Sequence, residues 1–184
     1  MKEKGIFRSS ARSLRDIRTL TTCAMLGAVS IILGYFTIQI GDFLKITFTS
    51  VPVSVCAYLF GPVAAPVLGA SMDIINYMMK PTGAFFPGFT LSAAVQGLIM
   101  GALLYRKPLS LKRTLVATLI VMLLVDMVMN TLWLTILYGQ AFYVIFPARA
   151  LKNIIMWPIQ TTVLFAVLKG LERAGIFRLF GERA

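Results

Sequence analysis

The chain has 184 residues, of which 58% are hydrophobic and only 14% charged, with a formal net charge of +11. That balance is too apolar for a soluble domain of this length, so lipid is the solvent the fold must answer to. The absence of histidine removes the commonest general base and the commonest metal ligand, and no G-x-x-x-x-G-K-S/T loop is present to hold ATP.

Unbonded backbone groups are costly in hydrocarbon, which leaves helices or closed barrels, and these apolar runs lack the alternation of barrel strands. The predicted fold is therefore an all-α integral membrane protein with six transmembrane helices. Residues 1–18 form a basic arm, 19–171 the six-helix membrane domain, and 172–184 a short basic tail. The first apolar run, 19–40, has no A-x-A-like cleavage site and is too long for a signal-peptide core, so it reads as a retained span. Within it, Ala24 and Ala28 flank Gly27 in a small-xxx-small surface that admits another helix, from inside the protein or outside it. Spans two and three are predicted at 47–61 and 65–80. Both are short, and the run Phe60-Gly61-Pro62-Val63-Ala64-Ala65-Pro66 breaks the helix between them. Spans four to six are predicted at 88–105, 113–138 and 147–171. Cys23 and Cys56 fall inside apolar runs and read as small packing residues with no disulfide.

With six spans, both termini lie on one side of the membrane. That side collects Lys2, Lys4, Arg8, Arg12, Arg15 and Arg18 from the arm, Arg106, Lys107, Lys112 and Arg113 from the middle loop, and Lys169, Arg173, Arg178 and Arg183 from the tail. The other side has Lys45, Lys80, Arg149 and Lys152. Fourteen cations against four predict cytoplasmic termini. The positive charge is thus a topology signal divided among three segments, not a nucleic-acid site. The outer connections are rich instead in aromatics: Phe43, Phe48, Phe85, Phe86, Phe89, Phe142 and Tyr143. Interfacial anchoring accounts for some of these rings.

Polar side chains in hydrocarbon are costly unless they face a cavity or a partner. Asp73 and Asn76 fall on span three, Gln96 on span four, Asp126 and Asn130 on span five, and Asn153 and Gln160 on span six. Helical spacing puts Asp73, Asn76 and Lys80 on one stripe, Asp126 with Asn130, and Arg149 with Asn153. Arg149 and Lys152 are expected in the first turns of span six, where the helix N-terminus also favours anions. One reading is an outward pocket with aromatic walls, amides and carboxylates for ring edges, and cations for an acidic group. The other is interhelical bonding between packed helices, which suits Asp126 best.

Several stretches taken in order resemble the folate family of energy-coupling factor S components. They are Phe43-Leu44-Lys45-Ile46-Thr47-Phe48 with Val51-Pro52-Val53, Leu59-Phe60-Gly61-Pro62, and Gly69-Ala70-Ser71-Met72-Asp73. The run from Pro81 to Ala93, Asn130-Thr131-Leu132-Trp133-Leu134, and Pro147-Ala148-Arg149-Ala150-Leu151-Lys152-Asn153 continue the series. The resemblance covers roughly Leu20 to Val167. It implies a high-affinity vitamin-binding subunit of an importer in a prokaryotic cell membrane, with folate as cargo. It also implies a transmembrane scaffold partner carrying two cytoplasmic ATPases, docked through Ala24 and Ala28. The ligand-facing candidates are Lys45, Asp73, Asn76, Phe86 and Phe89, then Gln96, Asn130, Trp133, Arg149 and Asn153. Asp126 departs from the family pattern, in which an uncharged residue is expected. No catalytic residue, metal or cofactor is assigned.

Two alternatives accompany this reading. A pantothenate-like or queuosine-precursor-like cargo would use the same frame, although a neutral vitamin leaves Lys45, Lys80, Arg149 and Lys152 unexplained. An intramembrane enzyme needs a nucleophile with a base in reach, and the chain has neither histidine nor a G-x-S-x-G elbow. A stand-alone channel or multidrug carrier would fit the hydropathy but not the ordered series of motifs.

Overall fold

The computed structural model describes residues 10–11, 14, 16–36, 38–40, 44–79, 85–139 and 142–175. Helix α1 runs Ile17–Tyr35, with the Asp16 side chain accepting from the Arg18 backbone N–H at 3.2 Å. Strands β1 (Ile38–Ile40) and β2 (Leu44–Ile46) then pair antiparallel, with Gln39 opposite Lys45. Helices α2 (Ser50–Phe60), α3 (Ala64–Met79) and α4 (Pro87–Leu104) follow. Helix α5 covers Leu111–Tyr138, and α6 covers Phe142–Arg173. The fold is helical as expected, and this pair of three-residue strands is the one addition to it among the described residues, satisfying backbone groups between α1 and α2.

Four helices, α1, α4, α5 and the 149–173 part of α6, are long and apolar enough to cross a membrane. Helix α2 is not. Its 11 residues rise only about 16 Å against a hydrocarbon core of about 30 Å. It is apolar nearly all round and buried accordingly, from Val51 through Val53, Val55, Cys56 and Ala57 to Phe60. Around it gathers the core, which includes Ala64, Ala65 and Leu68 of α3, Met100 and Leu104 of α4, Ala117, Val121 and Val125 of α5, and Leu164 and Leu168 of α6. The core thus occupies one half of the bundle.

The turn between α2 and α3 falls at the predicted break. Gly61, at φ 89°, adopts a left-handed conformation and donates its N–H to Ala57 O at 3.0 Å. Ser10 seals the turn, donating to Phe60 O at 2.5 Å and accepting from the Val63 N–H at 3.0 Å. Cys23 and Cys56, read as separate packing residues, are not isolated from each other: their sulfurs face across α1 and α2 at 3.6 Å.

Two boundaries differ from expectation. Helix α6 begins at Phe142, so Pro147 lies inside it rather than opening it, and Arg149 sits about two turns from its start. In α5, residues Met122–Met129 wind as a π-helix, and the Asn130 N–H reaches back five residues to Val125 O. The apolar pattern carries no sign of that widening.

Helices α3 and α4 approach closely through glycine. A β-carbon on Gly97 would lie 2.6 Å from the Ala65 carbonyl carbon and 2.7 Å from its oxygen, both backbone atoms that no rotamer change can move aside. Gly97→Ala is therefore expected to force the helices apart and destabilise the protein by about 1–3 kcal/mol, the usual range for overpacking. A fall of several degrees in the thermal midpoint in detergent is the expected result. A wild-type midpoint would mean that the two backbones can separate without strain.

Candidate ligand-binding cavity

Because α2 is short, the space beyond its N-terminus is left unfilled by helix. A cavity of about 370 Å³ occupies it, bounded by all six helices. Helix α6 contributes Arg149, Lys152, Asn153, Met156, Trp157 and Gln160, whose spacing makes one continuous stripe. Gln160 donates to Thr47 O at 3.4 Å, tying that stripe to the segment that leads into α2.

The π-helical turns position the polar end of the cavity. In a regular α-helix the Asn130 N–H would bond to Asp126 O, but here it goes to Val125 O. The Asp126 carbonyl instead accepts from Arg149 Nη2 at 3.3 Å and from Thr131 Oγ1 at 3.5 Å. Asn130 Nδ2 donates to the Asp126 carboxylate at 3.3 Å, which fixes how the Asn130 amide is turned. Asp126 was expected to bond between helices. Its carbonyl does so by accepting from Arg149 of α6, while its carboxylate lines the cavity and accepts from Asn130 of its own helix.

Across the cavity, Asp73 accepts from Thr90 Oγ1 at 2.8 Å, joining α3 to α4. Asn76 packs against Gly34 of α1, where a β-carbon would come within 2.6 Å of Asn76 Oδ1. Phe86 and Phe89 meet nearly edge to face, their centroids 6.2 Å apart.

Of the ten ligand-facing candidates, Asp73, Asn76, Phe86, Phe89, Gln96, Asn130, Arg149 and Asn153 line this one cavity. Trp133 stands behind the wall: its ring backs Phe86 at 5.6 Å and its indole N–H donates to Ser92 Oγ at 3.0 Å. Lys45 lies on β2, with its side chain outside the described residues, as are those of Phe142 and Tyr143. Phe43, Lys80 and most of the terminal arm and tail also fall outside them. Sequence reasoning missed Trp157 and Thr118, although a step of eight residues from Arg149 along the same helical face leads to Trp157.

Among the described residues, the cavity's charges balance: Arg149 and Lys152 against Asp73 and Asp126. Two amide atoms there are buried without a hydrogen-bond partner among the described residues, Asn130 Oδ1 and Asn153 Nδ2. Such atoms cost stability in the empty protein and recur where a structure serves a ligand.

Comparison with known proteins is consistent across sequence and structure. Residues 18–168 match the family model for the ECF transporter, substrate-specific component. A folate transporter, FolT, of Clostridium novyi (strain NT) is 37% identical over 163 residues, covering 89% of this chain and 95% of the relative. FolT of Leuconostoc mesenteroides subsp. mesenteroides is 31% identical over 159 residues, 83% of this chain and 85% of that one. The crystal structure of FolT bound with folic acid superposes with a TM-score of 0.77 at 31% identity, covering 83% of this chain and 93% of that one.

The unpartnered amide of Asn153, whose side chain is 4% exposed, gives a direct test of whether the cavity trades stability for function. Asn153→Leu removes that buried polar atom at similar volume, and an unsatisfied buried group costs about 1–3 kcal/mol. The ligand-free variant is expected to melt a few degrees above wild type. A lower midpoint would show that Asn153 is held by contacts that stabilise the empty fold.

Proposed function

Because the chain belongs to the substrate-specific components of ECF transporters, we propose that it is the folate-binding subunit of such an importer. The observation that carries the reading is the cavity itself, in which Phe86 and Phe89 share one enclosure with the cations Arg149 and Lys152. Folate is aromatic at one end and doubly acidic at the other, and it needs both. The likeness to the folic-acid-bound FolT structure supports this choice over other cargo.

The excess of cations in the arm, middle loop and tail supports cytoplasmic termini in a prokaryotic cell membrane, with the cavity opening outward. Since the sequence holds no P-loop, the driving ATPases belong to partners, coupled through a transmembrane scaffold. Helix α1 supports a docking role. Gly27 turns inward against Met72, while Ala24 and Ala28 lie exposed on the flank beside it.

Arg149 holds the acidic end of the vitamin. With α6 beginning two turns earlier, helix-terminal potential adds little, because that effect fades beyond the first turn. The guanidinium must act through its own donors, with Lys152 one turn further on. Arg149→Ala is expected to weaken folic acid by about tenfold to a hundredfold, matching about 1.5–3 kcal/mol for a hydrogen bond to a charged group. Pterin, the ring without the acidic tail, should lose far less when titrated against the same pair of proteins. Equal losses for both ligands would sink the carboxylate role.

Docking separates from binding in a second test. Ala24→Trp or Ala28→Trp adds bulk to an exposed helix face, so folic acid affinity should hold while uptake by the assembled transporter collapses. A parallel loss of affinity would assign the two alanines to internal packing.

A further inference from the structure

Resting on the folate reading above, we infer that Trp157 is the platform on which the ligand's flat ring system stacks, with Thr118 as its positioning residue. Trp157 lines the cavity, whereas the chain's other tryptophan stands behind the wall. Its indole N–H donates to Thr118 Oγ1 at 3.1 Å. The Thr118 hydroxyl meets Thr161 Oγ1 at 2.7 Å, and the Thr161 hydroxyl donates to the Trp157 carbonyl at 2.8 Å. The single Thr118 proton is shared between Thr161 Oγ1 and the Thr114 and Leu115 carbonyls of its own helix, at 2.9 and 3.1 Å, while its oxygen stays available as the indole's acceptor. Both threonines are buried, at 8% and 1% exposure.

An indole has a single donor, and here the protein already uses it. What remains for the cavity is the π face of the ring, held in one plane. A π face selects flat aromatic systems and is indifferent to hydrogen-bonding edges, which other wall residues must read. The surroundings agree, because Val121, Met122, Met100 and Leu164 make this end of the cavity apolar.

Arg149 and Trp157 share one stripe of α6, eight residues and about 12 Å apart along the axis. A molecule that is acidic at one end and flat at the other fits that interval with an aryl spacer between. The ring end lies further from the α6 start than the acid end, so the dianionic tail keeps to the side of the cavity where Arg149 and Lys152 stand.

Titration of folic acid and of N-(4-aminobenzoyl)-glutamate, its tail without the pterin ring, tests this against the full-length protein. Trp157→Leu should weaken folic acid by about fivefold to a hundredfold, the range that ring stacking supplies, and leave the tail ligand unchanged. Trp157→Phe, which preserves the fold more gently, should fall between. Thr118→Val keeps the volume but removes the indole's acceptor. It should cost folic acid a smaller factor and lower the near-ultraviolet circular dichroism of the tryptophan band. Equal losses on both ligands, or no loss on folic acid, would overturn the platform role while the folate reading stands. A wild-type chain that binds neither ligand would overturn both.

Discussion

The length of α2 is the constraint from which the rest of the structure follows. Eleven residues between Thr49 and Gly61 reach roughly half the hydrocarbon thickness, so the bundle is packed by α2 in one half and hollow in the other. In the filled half, α2 buries apolar side chains on every face, and glycines at 69, 97 and 101 let α3 and α4 close to backbone contact beside it. In the hollow half, the walls must stand without a central helix. Cross-links do that work: Asp73 to Thr90, Trp133 to Ser92, Arg149 to the Asp126 carbonyl and Gln160 to the Thr47 carbonyl. Each joins different elements around the cavity rim, where apolar packing is thin.

A π-helical stretch in α5 is the second consequence. Widening the helix over Met122–Met129 moves the Asn130 N–H to Val125 and makes the Asp126 carbonyl available to α6. Arg149 is thereby held at a main-chain acceptor, which carries no net charge. The wall thus brings a cation, a carboxylate and two amides together around one cavity.

Much of this was legible in the sequence, and the limits have physical causes. The break at Gly61-Pro62 was readable because both residues punctuate helices by covalent geometry alone. Asp73, Asn76, Gln96, Asn130 and Asn153 were readable because a polar atom in lipid must have a reason. Trp157 was not, since an aromatic residue in an apolar helix is unremarkable until a cavity lies beside it. Trp133 stands in the Asn130-Thr131-Leu132-Trp133-Leu134 motif, yet a one-dimensional pattern does not say whether a ring forms a wall or supports one. The start of α6 was misplaced because Pro147 is a usual first-turn residue, and helix start rules carry no information about a helix already begun. The π-helix leaves no mark in hydrophobic periodicity, because one extra residue per turn shifts a stripe by less than the width of the apolar face.

Helix α1 is where binding and transport would meet. One face carries Gly27 and Gly34, which let Met72 and Asn76 of α3 press against its backbone; Asn76 is itself a cavity residue. The adjoining flank carries Ala24 and Ala28, exposed near Met25, Val29 and Ile32, so a large apolar surface awaits lipid or another helix. A side chain added at 34 would act on the ligand side, and one added at 24 or 28 on the outer side, although all three lie on one rigid rod. Such a rod transmits displacement without needing to bend. A tilt of α1 relative to α3 would move Gly34 against the amide of Asn76 at the cavity wall.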